Sequence, residues 1–275
     1  MTLKLHPIPV RRLTLAVPGV EDFDPIYMAN QPAVSYSFTG LGLYVALLEP
    51  FIVKSLRRVL DRISDPELKE NTDRFCRQEA QHYQQHERFN AVVLAQGYPG
   101  LQDRVDRLEA DFRSYLEVRS DRFRVGFVEG FESYTTQGAL EILSSRVCDH
   151  PRTNPGFGHL FRWHMLEEIE HRNVAFDVYQ HLYGDYPYRA GMCWFAQRHM
   201  LRFISDCTRI MSAADVARHG RRCRVGVLAR TVMALQPLPK QIRSMLPGYS
   251  PHHYRIPDSL ADLSARYTEL ADSAL

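Results

Sequence analysis

The spacing of hydrophobic and polar positions along the chain predicts a series of helices. No alternating apolar and polar run and no hairpin turn stands out, so a β-sheet is not expected. The sequence therefore predicts an all-α fold. Helices are expected at about 39–63, 66–96, 101–118, 121–147, 159–183, 189–218 and 222–246, with a short terminal helix from Pro257.

Proline and capping residues set several of the expected helix ends. Asp65 followed by Pro66 is a favourable start, because aspartate caps free N–H groups and proline fits the first helical position. Within the first helix, Pro50 removes one backbone hydrogen bond and predicts a kink at or just before Glu49.

The chain is expected to form one domain preceded by an irregular arm. Residues 1–38 contain five prolines and are predicted to pack on a single helical metal-binding domain spanning residues 39–275. A hydrophobic content of 45% is ample for a buried core.

Composition argues against several functional classes. The formal net charge is +2 and the basic residues are scattered, so a nucleic-acid partner is not expected. The five cysteines form no CxxC pair and are interpreted as reduced thiols. The first residues lack the continuous apolar stretch of a signal peptide, and no segment reaches the roughly 18 uncharged apolar residues of a membrane span. We therefore expect a cytoplasmic protein with no membrane partner.

The predicted helix at 66–96 carries a Glu-x-x-His motif within QEAQHYQQHERF. Glu79, His82 and His86 stand at i, i+3 and i+7, which places them within an arc of about 60° on the helix surface. All three side chains are therefore expected to project from one stripe.

The predicted helix at 159–183 carries a second such motif within WHMLEEIEHRN. His164, Glu168 and His171 repeat the pattern with reversed spacing, again on one stripe. A single Glu-x-x-His is weak evidence, since most such pairs lie on solvated helix faces. Two of them on separate helices, joined by one Glu from each of two further helices, are typical of two-metal carboxylate sites in four-helix bundles.

The two additional carboxylates are sought on the first and fourth helices. Glu49 is the one acid in the apolar stretch from Tyr36 to Val53, where a charge needs a partner or a metal. On the fourth helix, Glu129 and Glu132 stand at i and i+3, and both can face inward.

The segments EAQH, EGFESYT and WHMLEEIEH, in this order, resemble a bacterial family labelled predicted metal-dependent hydrolase, related to the ferritin-like superfamily. The resemblance covers roughly residues 35–255 and implies a ferritin-like four-helix bundle with extra C-terminal helices. It favours Glu132 over Glu129 as the ligand. It also implies that Glu167 hydrogen-bonds a metal-bound histidine, most simply His82, while Gln78 orients His171 in the same way.

Three functions are compatible with these residues. In the first, two iron ions, or manganese, activate O₂ to oxidise a small organic substrate; Glu49 and Glu132 bridge the ions, and the two Glu-x-x-His motifs supply terminal or bridging ligands. An external electron donor and a homodimer are compatible with this hypothesis. The second is a metal-dependent hydrolase that uses a metal-bound hydroxide, with His86 or His164 as acid or base. The third is non-catalytic metal storage.

Overall fold

The computed structural model describes residues 7–273 and contains ten α-helices and no strand over that range, which confirms the all-α prediction. Short 3₁₀ turns occupy four of the connections. The ten helices are α1 (Pro32–Arg57), α2 (Pro66–Leu94), α3 (Leu101–Val118), α4 (Asp121–Ser145), α5 (Pro155–Glu170), α6 (Val174–Leu182), α7 (Tyr186–His219), α8 (Val227–Leu235), α9 (Pro237–Ser244) and α10 (Ser259–Ser273).

Four long helical segments form a bundle that surrounds the residues of interest. α1 packs against α2, and α4 packs against α5 and α6. The two pairs contact each other through α1 with α4 and through α2 with α5 and α6. α7 covers the outer sides of α1 and α4, and α3 packs on α1. α1 and α4 thus have one side turned to the centre and another covered by a further helix, which explains why their apolar residues are spread around the helix.

The N-terminal arm is shorter than the sequence suggested. Residues 7–31 have no regular secondary structure, but α1 begins at Pro32 rather than at Thr39. Pro32 occupies the first helical position, where its missing N–H costs nothing, so it starts the helix instead of preventing it. The side chains of Ile8 and Leu13 are buried, so the arm packs into the core of the bundle.

Two expected helices are each divided. The helix expected at 159–183 becomes α5 and α6, because the chain turns at residues 171–173 and the Val174 N–H bonds to the His171 carbonyl. His171 therefore caps α5, with φ −97° and ψ 4°. The stretch expected as one helix at 222–246 becomes α8 and α9, and Pro237 starts the second of them.

The first helix is long and apolar enough to pass a test for a membrane span, and it is the one helix of the described chain to do so. However, 72% of its apolar window is buried inside the bundle, and it carries the carboxylate of Glu49. Buried core helices of soluble proteins pass the same test, so this observation is weak evidence for a span. α1 continues through Pro50 without ending.

Candidate metal centre

The bundle brings four helices together around a cluster of carboxylates and imidazoles. α1 supplies one acid, α2 supplies a Glu-x-x-His pair, α4 supplies one acid, and α5 with its C-terminal cap supplies the second pair. All six residues expected as ligands are at most 2% exposed. They are Glu49, Glu79, His82, Glu132, Glu168 and His171.

One half of the cluster is centred on His171. Its Nε2 atom lies 3.4 Å from Oε2 of Glu168 and 3.6 Å from carboxylate oxygens of both Glu79 and Glu132. One ligand atom from each of these four residues lies within 4.8 Å of the others, which is the spacing of donors around a single cation. The carboxylates of Glu79 and Glu168 are thus close enough to share a metal pair.

The other half of the cluster is centred on His82. Its Nδ1 atom lies 3.5 Å from Oε1 of Glu79, and Glu49 completes a group of three whose ligand atoms lie within 4.8 Å of one another. His82 also groups with His164 and Glu168. This half therefore contains more imidazole than the half around His171.

The carboxylates that belong to both halves are Glu79 and Glu168. Glu49 lies only in groups with His82, His86 or His164, and Glu132 lies only in the group with His171. This placement favours Glu79 and Glu168 as the carboxylates shared by the two halves, whereas the sequence suggested that Glu49 and Glu132 bridge the ions. Which carboxylates bridge stays a prediction, as does the binding of metal.

The side chains of the cluster leave donor and acceptor atoms unused. All six expected ligands carry buried atoms that have no hydrogen-bond partner in the described part of the chain. Leaving such an atom unpaired costs about 1–3 kcal/mol. A cation between these atoms would satisfy them together, so the donor set fits a metal centre. The atoms are both carboxylate oxygens of Glu49, Oε1 of Glu79, Nδ1 of His82, Oε1 of Glu132, Oε2 of Glu168 and Nε2 of His171.

Without a cation, the cluster must hold protons. Burial and then the charges of neighbouring carboxylates raise the pKa of Glu49 well above its usual range and that of Glu132 to about 8. Burial alone would raise the pKa of Glu168, but the contacts with His171 and His164 lower it well below normal. Burial alone would lower the pKa of His171, but the charge of Glu168 and its other acidic contacts raise it well above normal. Protons therefore take the place that cations would occupy.

Each of the two central histidines is oriented by a side chain from the opposite motif. Nε2 of His82 lies 2.9 Å from Oε2 of Glu167, and Nδ1 of His171 lies 3.0 Å from Oε1 of Gln78. These contacts, both expected from the sequence, turn the free nitrogen of each ring toward the carboxylates. Burial alone would lower the pKa of His82, but the hydrogen bonds and charges of Glu167 and Glu79 raise it to about 9.

The N-terminal arm supplies an arginine that the sequence gave no signal for. The Arg11 guanidinium donates to Oε1 of Glu167 at 2.9 Å and to both carboxylate oxygens of Glu170, at 2.7 and 2.8 Å. The indole of Trp163 also donates to Glu167, at 2.8 Å. Arg11 is 2% exposed, so the arm closes the network that holds His82 in place.

The two additional histidines form a pair at one side of the centre. Nε2 of His164 lies 2.9 Å from Oε1 of Glu168 and 3.4 Å from Oε1 of Glu49, while its Nδ1 lies 2.7 Å from Nε2 of His86. Burial and then the neighbouring imidazoles lower the pKa of both rings, so both are neutral at physiological pH. His164 contacts the centre directly, and His86 lies behind it.

Glu129 does not join the cluster. Its Oε1 accepts from Arg189 at 3.0 Å and from the Ser133 hydroxyl at 2.7 Å. Arg189 in turn donates to the carbonyls of Ser244 and Leu246, which attaches the segment after α9 to the bundle. Of the two candidates on α4, Glu132 therefore faces the centre. Whether the clustered residues bind metal, and in what number, stays a prediction.

Comparison with known proteins gives the family of the chain. No curated protein and no solved structure matches the chain. A family model described as "Predicted metal-dependent hydrolase" matches residues 9–254. That range includes Arg11, both Glu-x-x-His motifs and the two additional carboxylates, and it covers most of the chain. The chain therefore belongs to the family of predicted metal-dependent hydrolases.

Proposed function

We propose that the cluster binds two divalent cations and is the active site of a metal-dependent hydrolase. Glu49 and His82 would hold one cation and Glu132 and His171 the other, while Glu79 and Glu168 would serve both. His164 would add a nitrogen on the His82 side. The observation that carries the proposal is the set of buried, unpaired donor atoms on all six of these expected ligands.

The charge of the cluster supports two cations rather than one. Four carboxylates that are at most 2% exposed carry four negative charges when ionised. Isolated buried charges are strongly disfavoured in a protein interior, and two divalent cations neutralise these four. The combination of oxygen donors with imidazole nitrogen suits iron or manganese better than a metal that prefers sulfur. The four carboxylates are Glu49, Glu79, Glu132 and Glu168.

Membership of the hydrolase family supports hydrolysis as the reaction. A bound divalent metal lowers the pKa of water and polarises an ester, amide or phosphate group. The protein's own contribution is to position the donors and to move protons. His164 is suited to the second task, because its ring contacts Glu168 and Glu49 on one side and His86 on the other. A proton taken up at the centre can therefore pass to a second imidazole.

A specific observation favours O₂-dependent oxidation of a small organic substrate as a second candidate. The centre is enclosed by apolar and aromatic side chains: the ring of Phe75 lies 4.3 Å from that of His171, and the ring of Trp163 lies 4.9 Å from that of His82. A water-poor, carboxylate-rich core protects reactive intermediates from side reactions. This reaction would require iron and an external electron donor.

Metal analysis of protein purified without oxygen tests the shared part of both candidates. We expect close to two equivalents of iron or manganese per chain. His171→Ala should lose most of this metal, whereas Glu129→Gln should keep it, because Glu129 is equally buried but outside the cluster. Wild-type protein that takes up no divalent metal, or that holds as much as His171→Ala, would refute the proposed centre.

The reaction is then assigned with the metal-loaded protein. Hydrolysis of aryl esters or phosphate esters in the absence of oxygen, lost in His171→Ala, is the expected result. A transient absorption that appears only on adding O₂ to the Fe(II) protein, without hydrolysis, would favour the oxidase instead. Stable metal binding with neither reaction would favour storage.

A further inference from the structure

The segment formed by α8 and α9 carries several large apolar side chains that are exposed to solvent. α8 contributes no buried residue to the fold. Seven large apolar side chains of this segment are between 37% and 79% exposed. Leu228, Val232 and Leu235 stand at i, i+4 and i+7 of α8 and therefore share one side of the helix. Exposed apolar patches usually mark a binding surface. We call these seven residues the apolar face; they are Val227, Leu228, Val232, Leu235, Leu238, Ile242 and Leu246.

The polarity of α9 is inverted relative to an ordinary surface helix. Lys240, Gln241 and Ser244 are buried against the bundle, where Lys240 pairs with Glu141 on α4. The apolar side chain of Ile242, in contrast, is 57% exposed. A surface helix normally turns its apolar stripe toward the core. α9 therefore uses its polar side to attach to the protein and presents its apolar side outward.

The chain on both sides of this segment is strongly basic. Residues 216–257 contain eight Arg and Lys residues and no Asp or Glu, although the whole chain has a formal net charge of only +2. Arg222 faces Asp24 at 3.5 Å. Arg221, Arg224 and Arg230 are exposed and form no ion pair with a carboxylate in the described part of the chain. Positive charge is thus available around the apolar face.

We propose that the apolar face and its surrounding arginines attach the protein to an anionic phospholipid surface. Apolar side chains that enter the headgroup region, flanked by Arg or Lys, are the combination that holds a helix in the plane of a bilayer. A second copy of the chain is a less suitable occupant, because a two-fold contact uses the same surface on both copies and would bring two arginine-rich surfaces together. The sequence-based expectation of no membrane partner concerns a helix that spans the bilayer, whereas attachment at the membrane surface needs no such helix.

Vesicle flotation tests this attachment. The full chain is mixed with vesicles of phosphatidylcholine alone or of phosphatidylcholine with phosphatidylglycerol, at low and high salt. We expect binding to the anionic vesicles that weakens with salt, because salt screens the arginines. The double variant Arg224→Gln with Arg230→Gln should bind anionic vesicles more weakly, by about fivefold for each arginine. This corresponds to about 1 kcal/mol per arginine at an anionic surface.

The contribution of the apolar face is tested with Leu228→Asp combined with Ile242→Asp. We expect at least a tenfold loss of vesicle binding, while circular dichroism shows an unchanged helical fold. Val118→Asp is the matched control, since Val118 is 71% exposed but lies on α3, outside the apolar face. It should bind vesicles like the wild type.

Three outcomes would overturn the proposal. The first is equal binding of the wild type to neutral and anionic vesicles, and the second is unchanged vesicle binding by either double variant. The third is light scattering that shows a wild-type dimer which Leu228→Asp dissociates. The last result would identify a second copy as the occupant. Metal content is measured on the same samples and is expected to stay constant, so this test is independent of the proposed centre.

Discussion

Replacing Glu167 with glutamine changes the support of His82 without changing the size of the side chain. Glu167 is 0% exposed and accepts from three groups: His82 at 2.9 Å, Arg11 at 2.9 Å and Trp163 at 2.8 Å. Glutamine offers one acceptor oxygen and no charge. His82 therefore loses the anionic partner that fixes its ring and raises its basicity.

Two effects on metal affinity follow, and they have opposite signs. Loss of the support for a ligating histidine lowers affinity about 10- to 100-fold, or about 1 to 3 kcal/mol. In the wild type, however, the His82 pKa is about 9, so at neutral pH a metal must displace a proton at a cost of about 3 kcal/mol. Glu167→Gln lowers that pKa and removes much of this cost. The variant should therefore bind almost as well as wild type near pH 7.

The metal affinity of Glu167→Gln should fall below that of the wild type as the pH rises toward 9, because His82 of the wild type then has no proton to release.

The same pKa affects the stability of the metal-free protein. Because the His82 pKa is raised above its unfolded value of 6.5, its stabilising effect is complete below pH 6.5 and is lost as the pH rises through about 9. Metal-free wild type should thus lose more stability over this range than the variant.

Calorimetric titration with Mn(II) across this pH range measures both effects, and repeating it in buffers of different ionisation enthalpy counts the protons released. Glu129→Gln is the control, because it makes the same change in a fully buried carboxylate that accepts from an arginine outside the cluster. It should lower the melting temperature and leave the pH dependence of Mn(II) binding unchanged. A ratio of wild-type to Glu167→Gln affinity that stays constant with pH would refute the reasoning.

Three further predictions concern the centre and its support. Mn(II) at a hundredfold excess over its Kd should stabilise the metal-free protein by about 2.7 kcal/mol in thermal unfolding, and His171→Ala should abolish most of this gain; an equal gain in both would contradict the site. Arg11→Met should lower the free energy of unfolding in urea by about 3 to 5 kcal/mol, because it leaves buried carboxylates unpaired. Gly130→Ala should cost about 1 to 3 kcal/mol, since its Cβ would lie 2.7 Å from the Met192 carbonyl oxygen, whereas Gly138→Ala, with nothing within 4 Å, should cost nothing.

Most of the candidate site could be predicted from the spacing of residues within single helices. Side chains at i, i+3 and i+7 on α2 share one stripe whatever the helix packs against, so the positions of Glu79, His82 and His86 followed from the sequence. Glu49 could also be predicted from its own helix, because a single acid within an apolar helix needs a partner or a metal. The contact of His82 with Glu167 followed from resemblance to a family rather than from spacing.

What could not be predicted depends on distant partners. Spacing alone left Glu129 and Glu132 as alternatives on α4, and the choice of Glu132 came from the resemblance to a family. In the structure, Glu129 is engaged by Arg189, which lies sixty positions further along the chain. Arg11 stands 156 positions before Glu167, in an arm with no motif. The turn after Glu170 was also hidden, because apolar periodicity continues across it from α5 to α6.

The charge balance around the proposed centre links the N-terminal arm to the proposed metals. Six glutamate carboxylates in and around the cluster are at most 5% exposed. Arg11 brings one positive charge to the outer two, Glu167 and Glu170, and so fixes the partner of His82. The negative charge of the inner four carboxylates is neutralised either by protons or by cations. Protons leave several buried oxygen and nitrogen atoms without a partner, whereas two divalent ions would coordinate them. Metal loading should therefore tighten the contacts between α1, α2, α4 and α5 while the arm remains in place, and amide exchange slowed in these helices on adding Mn(II) would show it. Exchange slowed only in the arm would place the cation elsewhere.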